Sequence, residues 1–143
     1  MSELLCLGEP MIEFNQTAPG GPYVQGFGGD TSNAAIAAAR QGASVGYVSA
    51  TGRDVFGDLF DGLWRGEGVD TAGVLRMEQA PTGIYFVTHG PSGHMFSYRR
   101  TGSAASLMRP GDLPLELLRK ARVLHISAIS QAISASACDT VFA

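Results

Sequence analysis

No apolar run in the 143-residue chain is long enough to span a bilayer, and no Lys/Arg cluster marks a nucleic-acid or anionic-membrane surface. Basic residues number 10 against 13 acidic ones, a net charge of −3. Nucleic acid and membrane are therefore not expected as partners. Cysteine is scarce. Cys6 and Cys138 stand far apart, lack metal-site spacing, and read as reduced thiols of a cytoplasmic protein. Met1-Ser2-Glu3 lacks the positive start of a signal peptide. There is no P-loop, no internal repeat, no low-complexity tract, and no Ser/His/Asp or Cys/His constellation for nucleophilic catalysis. No metal site is expected. What remains is a single domain, long enough to bury a core.

Glycine, by contrast, is abundant, at 19 residues, and its placement is informative. Gly28-Gly29-Asp30-Thr31-Ser32-Asn33 carries a glycine pair into a helix expected over about Ser32 to Gln41, capped by Asp30 or Thr31 and stopped by Gly42. Bare backbone N–H groups at such a helix start favour a hydroxyl or an anion, and Asn33 lies one turn on. A dinucleotide fingerprint is rejected: no clear apolar strand leads into the loop, and the strand ending at Thr51-Gly52-Arg53 lacks the ribose-binding acid.

Leu4–Gly8 and Ser44–Ala50 read as buried strands, Val123–Ser127 as a third, and Met11–Asn15 as a continuation with partial alternation. Thr17–Gly29 reads as loop and short edge strand, and Val69–Gln79 as loop with a short strand. Asp54 caps a helix carrying Phe56, Leu59, Phe60, Leu63 and Trp64 at helical spacing. A helix is expected over Pro110–Lys120, with Leu113, Leu117 and Leu118 inward, and another from Ser134. This alternation predicts an α/β layered, Rossmann-like fold with a largely parallel sheet. Gly83–His89 and His94–Arg100 alternate too strongly to belong to it. They predict a hairpin around Gly90–Gly93 in a small accessory sheet, placed as a lid.

In a symmetric hairpin Tyr85 faces Tyr98, Val87 faces Phe96 and Gly83 faces Arg100, so Tyr85, Tyr98 and Arg100 share one side. Two phenols and a guanidinium suit a polyhydroxy acid, with room left above Gly83. A solvated cross-strand aromatic pair is the plainer alternative. Arg99, Ile84, Phe86 and Met95 take the other side, an apolar face that has to be covered, a second subunit being one way. Of the acids near the cleft, Glu9, Glu13, Asp30 and Asp54, the last two suit helix caps, and Glu13 is a candidate acceptor for a ligand hydroxyl. His89 and His94 flank the turn, where a pair can ligate a metal or simply stand exposed; exposure is the expectation. His125, ending a buried strand, is expected to be a satisfied structural histidine.

Together Gly28, Gly29, Asn33, Ala35, Gly42 and Gly52 resemble the N-terminal signature of the ribokinase-like (PfkB-type) carbohydrate kinases. Thr31 departs from the general pattern, which prefers Gly, Ala or Pro there. That variant, with Gly8-Glu9-Pro10-Met11-Ile12-Glu13, Gly68-Val69-Asp70, Thr82-Gly83-Ile84-Tyr85 and Phe96-Ser97-Tyr98-Arg99-Arg100, resembles the 2-keto-3-deoxygluconate kinase branch. The resemblance implies a ribokinase-like domain over residues 1–143 with lid segments at about 11–27 and 82–101. Gly28, Gly29 and Asn33 would bind sugar hydroxyls, Tyr85 and Tyr98 the sugar acid, and Arg100 its carboxylate or keto end. It implies ATP and Mg²⁺ as cofactors, and a homo-oligomer through the lid sheet. The family's catalytic base, anion hole and ATP site belong to an Asp-Thr-x-Gly-Ala-Gly-Asp-type motif that these residues do not contain. The expectation is thus a sugar-binding, N-terminal half that cannot transfer phosphate alone, with a fructose- or ribose-type kinase and a non-catalytic binding or oligomerising module as alternatives.

Overall fold

A computed structural model describes residues 2–143 and contains two four-stranded sheets. The first is built of β1 (Leu4–Leu7), β4 (Val45–Gly52), β5 (Asp70–Met77) and β8 (Val123–His125), all parallel, in the order β5-β4-β1-β8. All eight residues of β4 are buried, as expected of a strand covered on both faces. On one face Cys6, Val45 and Tyr47 pack with Ala35 of α1 (Asp30–Arg40) and with Phe60 and Trp64 of α2 (Val55–Gly66). On the other, Leu5, Leu7, Val48 and Ala50 meet Ala104, Met108, Leu117 and Leu118 of α3 (Leu115–Leu118) and Val141 of α5 (Ala135–Phe142). The layered α/β architecture expected from the sequence is therefore present.

The second sheet, in the order β3-β2-β6-β7, joins β2 (Met11–Gln16) and β3 (Tyr23–Gly28) to β6 (Gly83–Gly90) and β7 (Gly93–Arg99). Its central pair β2–β6 is parallel and its outer pairs are antiparallel. One face rests on α2: Phe14 packs edge-on to Phe56 at 6.0 Å and Phe27 to Phe60 at 5.2 Å. Ile84 joins the core, and Phe86 stacks on Phe14 at 5.4 Å with Tyr23 edge-on. The apolar face expected to be covered, with a second subunit as one way, is covered at Ile84 and Phe86 by this chain's own core and aromatics; Met95 stays exposed.

Several local expectations give way to tertiary structure. α1 starts two residues early, at Asp30, and its N-cap is Gly29, not a side chain of Asp30 or Thr31. Gly29 has φ +107°, and a Cβ there would lie 2.5 Å from the Glu9 carbonyl oxygen, so only glycine fits this corner. Thr31 and Ser32 turn inward: the Thr31 hydroxyl is 2.9 Å from that of Tyr47, and Trp64 Nε1 donates to Ser32 Oγ at 2.9 Å. The hairpin turn has two residues, Pro91 and Ser92, rather than four, because Gly90 and Gly93 pair. β5 is a full strand of eight residues, drawn out by pairing with β4. Pro114 divides the expected 110–120 helix into a 3₁₀ turn, Pro110–Asp112, and the short α3. β8 is an exposed edge rather than a buried strand, so His125 stands open to solvent. α4 (Ala128–Ala132), capped by the Ser127 hydroxyl, has no sequence signal strong enough to announce it. No described helix is long and apolar enough to cross a membrane.

Asp54 joins the two sheets. It caps α2 through Gly57 N–H at 2.8 Å and accepts from both the backbone N–H and the hydroxyl of Thr82, at 2.8 Å each. Burial raises this carboxyl, but the bonds from Thr82 and Gly57 and the charge of Arg76 outweigh it, so it ionises below the ordinary carboxylate range. A depressed folded value means stabilisation that is present above about pH 4, the unfolded range, and lost as pH falls through the folded value. Asp54→Asn should therefore cost about 1–2 kcal/mol at pH 7, with the gap to wild type closing towards the lowest pH at which both remain folded. Thermal melts across that range check it; a gap independent of pH would contradict the assignment.

Candidate functional site

The second sheet, the Gly29 corner and α4 enclose a cleft of about 170 Å³ beyond the carboxyl end of β1, where ligands of open α/β sheets bind. It is lined by Glu9, Met11, Gly29, Asp30, Tyr85, Phe96, Tyr98, Arg100 and Ile129. The hairpin register is the one expected, with Tyr85 opposite Tyr98 and Val87 opposite Phe96. The two phenol rings lie 5.8 Å apart, and the Arg100 guanidinium sits 5.2 Å from the Tyr98 ring centroid. Tyr85, Tyr98 and Arg100 are thus brought together on one wall.

Tyr85 donates its hydroxyl to Glu13, and burial, reinforced by that carboxylate, pushes its ionisation well above the usual phenol value. Tyr85 is therefore a neutral phenol whose oxygen keeps lone pairs for a ligand hydroxyl. Glu13 sits behind Tyr85, also receives Asn15 Nδ2 at 3.3 Å, and does not itself line the cleft. Gly28 is buried under the Tyr85 ring, because a Cβ there would lie 2.5 Å from the phenol oxygen. Asn33 is exposed, one turn into α1, away from the residues that line the cleft.

The room for a ligand that the sequence suggested above Gly83 is taken. The Glu9 side chain fills it, its Oε1 only 2.9 Å from where a Gly83 Cβ would be. Glu9 is 3% exposed. Arg100 donates to Glu9 Oε2 through Nε at 2.7 Å and again through Nη2, and Ser103 Oγ donates to Oε1 at 2.8 Å. Burial pushes the Glu9 carboxyl up, while Arg100 and Ser103 pull the other way. Glu9 was legible only as one of several acids near the cleft; its place at the end of the first strand was the available signal. Ser103 and Ile129 carried none.

This donor set suits hydroxyls rather than a triphosphate. Asp30 puts a carboxylate in the first turn of α1 and occupies the Thr31 N–H at 2.8 Å, so the helix start repels an anion. Among the described residues, Arg100 is the one cation lining the cleft, and it is already paired with Glu9. The described residues of this cleft therefore do not fit ATP, and among the described residues no three His, Cys, Asp or Glu side chains converge as a metal site.

Comparison with known proteins gives a consistent picture. The family model "pfkB family carbohydrate kinase" matches residues 1–143. A 2-dehydro-3-deoxygluconokinase of Thermoproteus tenax is 38% identical over 96% of this chain and 45% of its own length. A probable fructokinase-3 of Arabidopsis thaliana is 37% identical over 89% of this chain and 39% of its own. The structure of a fructokinase from Xylella fastidiosa with bound ATP superposes with a TM-score of 0.91 at 28% identity, covering 99% of this chain and 44% of that one. The chain thus spans less than half the length of these relatives.

Proposed function

Because the chain belongs to the pfkB family of carbohydrate kinases, we propose that it forms the acceptor-sugar side of a kinase that phosphorylates a sugar acid of the 2-keto-3-deoxygluconate type with ATP and Mg²⁺. The observation that carries this reading is the wall of Tyr85, Tyr98 and Arg100 facing Gly29 across the cleft. The Tyr85 oxygen accepts a sugar hydroxyl and Gly29 lets the ligand approach the backbone, while Gly28 gives the Tyr85 ring its room and Asn33, outside the cleft lining, takes no part in this reading. The edge of the Arg100 guanidinium that is not bonded to Glu9 meets the carboxylate. Phosphoryl transfer demands positioning and charge neutralisation more than covalent chemistry. These residues supply the positioning of the acceptor; the chain alone binds sugar weakly and does not transfer phosphate. ATP-dependent phosphorylation by the isolated chain would overturn that division.

A second reading, a fructose-type acceptor, has its own support. Glu9 already neutralises Arg100, and fructokinases are among the relatives at comparable identity. Calorimetric titration separates the two. Arg100→Ala should weaken binding of the sugar acid at least tenfold, the value of one charged hydrogen bond, while leaving fructose within twofold. Equal losses for both sugars would favour the neutral substrate.

The free edge of β7, with Met95 exposed beside it, is an unprotected strand edge and supports self-association through the lid sheet. Light scattering that finds only monomer would exclude it.

A further inference from the structure

Two histidines at the tip of the β6–β7 hairpin stand outside the cleft. His89 and His94 are cross-strand partners, with ring centroids 4.6 Å apart, ring planes at 89° and Nδ1 atoms 3.0 Å apart. His89 Nε2 lies 3.0 Å from Asn15 Oδ1. The Asn15 amide is oriented from its far side, since its Nδ2 donates to Glu13 Oε1 at 3.3 Å. An amide oxygen only accepts, so His89 carries its proton on Nε2 and presents a lone pair at Nδ1. The proton shared between the rings therefore belongs to His94 Nδ1.

An imidazole with one bare nitrogen, and the other bonded to an acceptor that fixes its tautomer, is the usual state of a metal-ligating histidine. We propose that the hairpin tip is a two-histidine site for a late divalent transition ion, with Nδ1 of His89 and Nδ1 of His94 as ligands and water in the remaining positions. Metal–nitrogen bonds of about 2.0–2.1 Å to two atoms 3.0 Å apart meet at roughly a right angle. That angle suits tetragonal Ni²⁺ or Cu²⁺ better than tetrahedral Zn²⁺. On binding, the His94 proton passes through solvent from Nδ1 to its own Nε2, and a small turn of each ring aims both lone pairs at the ion. Mg²⁺ prefers oxygen donors and does not belong here. Asn15 is a positioning residue: it holds the His89 tautomer and is itself held by Glu13, which also receives Tyr85. Exposure of His94, with His89 half-buried, lets an ion reach the pair without unfolding the hairpin.

The test is titration of the untagged protein with NiCl₂, followed by calorimetry and by broadening of the histidine ring resonances. One Ni²⁺ per chain is expected, broadening His89 and His94 and undisturbed by excess Mg²⁺. His89→Gln and His94→Gln should each weaken binding at least tenfold, with folding confirmed by circular dichroism. His125→Gln, which removes the remaining histidine, should bind as wild type does. Asn15→Ala should weaken binding about tenfold, and Asn15→Asp, which keeps an acceptor oxygen, should retain most of it. Wild-type affinity in both hairpin variants, or no stoichiometric uptake by the wild type, would overturn the site. An unchanged Asn15→Ala beside weakened histidine variants would overturn the positioning role.

Discussion

Trp64→Ala should lower stability by about 4 kcal/mol, within the range for truncating a fully buried aromatic. Trp64 has no solvent exposure and packs 4.7 Å from Tyr47 and 5.0 Å from Phe60, centroid to centroid. Its removal opens a cavity between α2 and the sheet. It also strips the buried Ser32 hydroxyl of its donor, loosening the first turn of α1 beside the Gly29 corner. Against a typical total of about 5–15 kcal/mol, that loss takes a marginal domain to the edge of unfolding. Trp64→Phe separates the two contributions. It keeps most of the volume and loses the hydrogen bond, so about 1–2 kcal/mol is expected. Urea denaturation followed by circular dichroism is the suitable measurement, since both variants remove the single tryptophan. Losses of equal size in the two variants would mean that packing at Trp64 matters less than its geometry implies.

Glu9→Gln should cost about 2–3 kcal/mol. Breaking a buried ion pair from one side typically costs about 3–5 kcal/mol, and the Arg100 side chain, 21% exposed, recovers part of its hydration. The same change weakens the acceptor for Ser103. A double-mutant cycle with Arg100→Met isolates the pair: the double variant should lose about 2 kcal/mol less than the sum of the single ones. Additive losses would mean that Arg100 is not held by Glu9. The result bears on substrate choice, because a guanidinium fixed by Glu9 presents its remaining donors in one direction. Freed of Glu9, it becomes a mobile charge at the cleft mouth.

Two of the three expected buried strands, β1 and β4, the Asp54 cap and the hairpin register were legible from the chain because each depends on nearest neighbours in sequence, whereas β8 is an exposed edge. Symmetric pairing about the Gly90–Gly93 turn put Tyr85 across from Tyr98. The start of α1 was misplaced because Asp30 and Thr31 look like caps locally, whereas Gly29 is fixed by its contact with Glu9, twenty residues earlier in the chain. Thr31, a departure from the family pattern, serves a buried hydroxyl pair with Tyr47 that no local rule predicts.

The family signature and its glycine corner, then, were determined by sequence alone, because glycine is required wherever backbone must approach backbone or ligand. The state of the site was decided only in three dimensions. Glu9 reaches Arg100 across ninety-one positions, and Asn15 orients His89 across seventy-four. Pairings of that kind set which charges are free and which nitrogens are bare, and they exist only once two distant strands have been brought side by side.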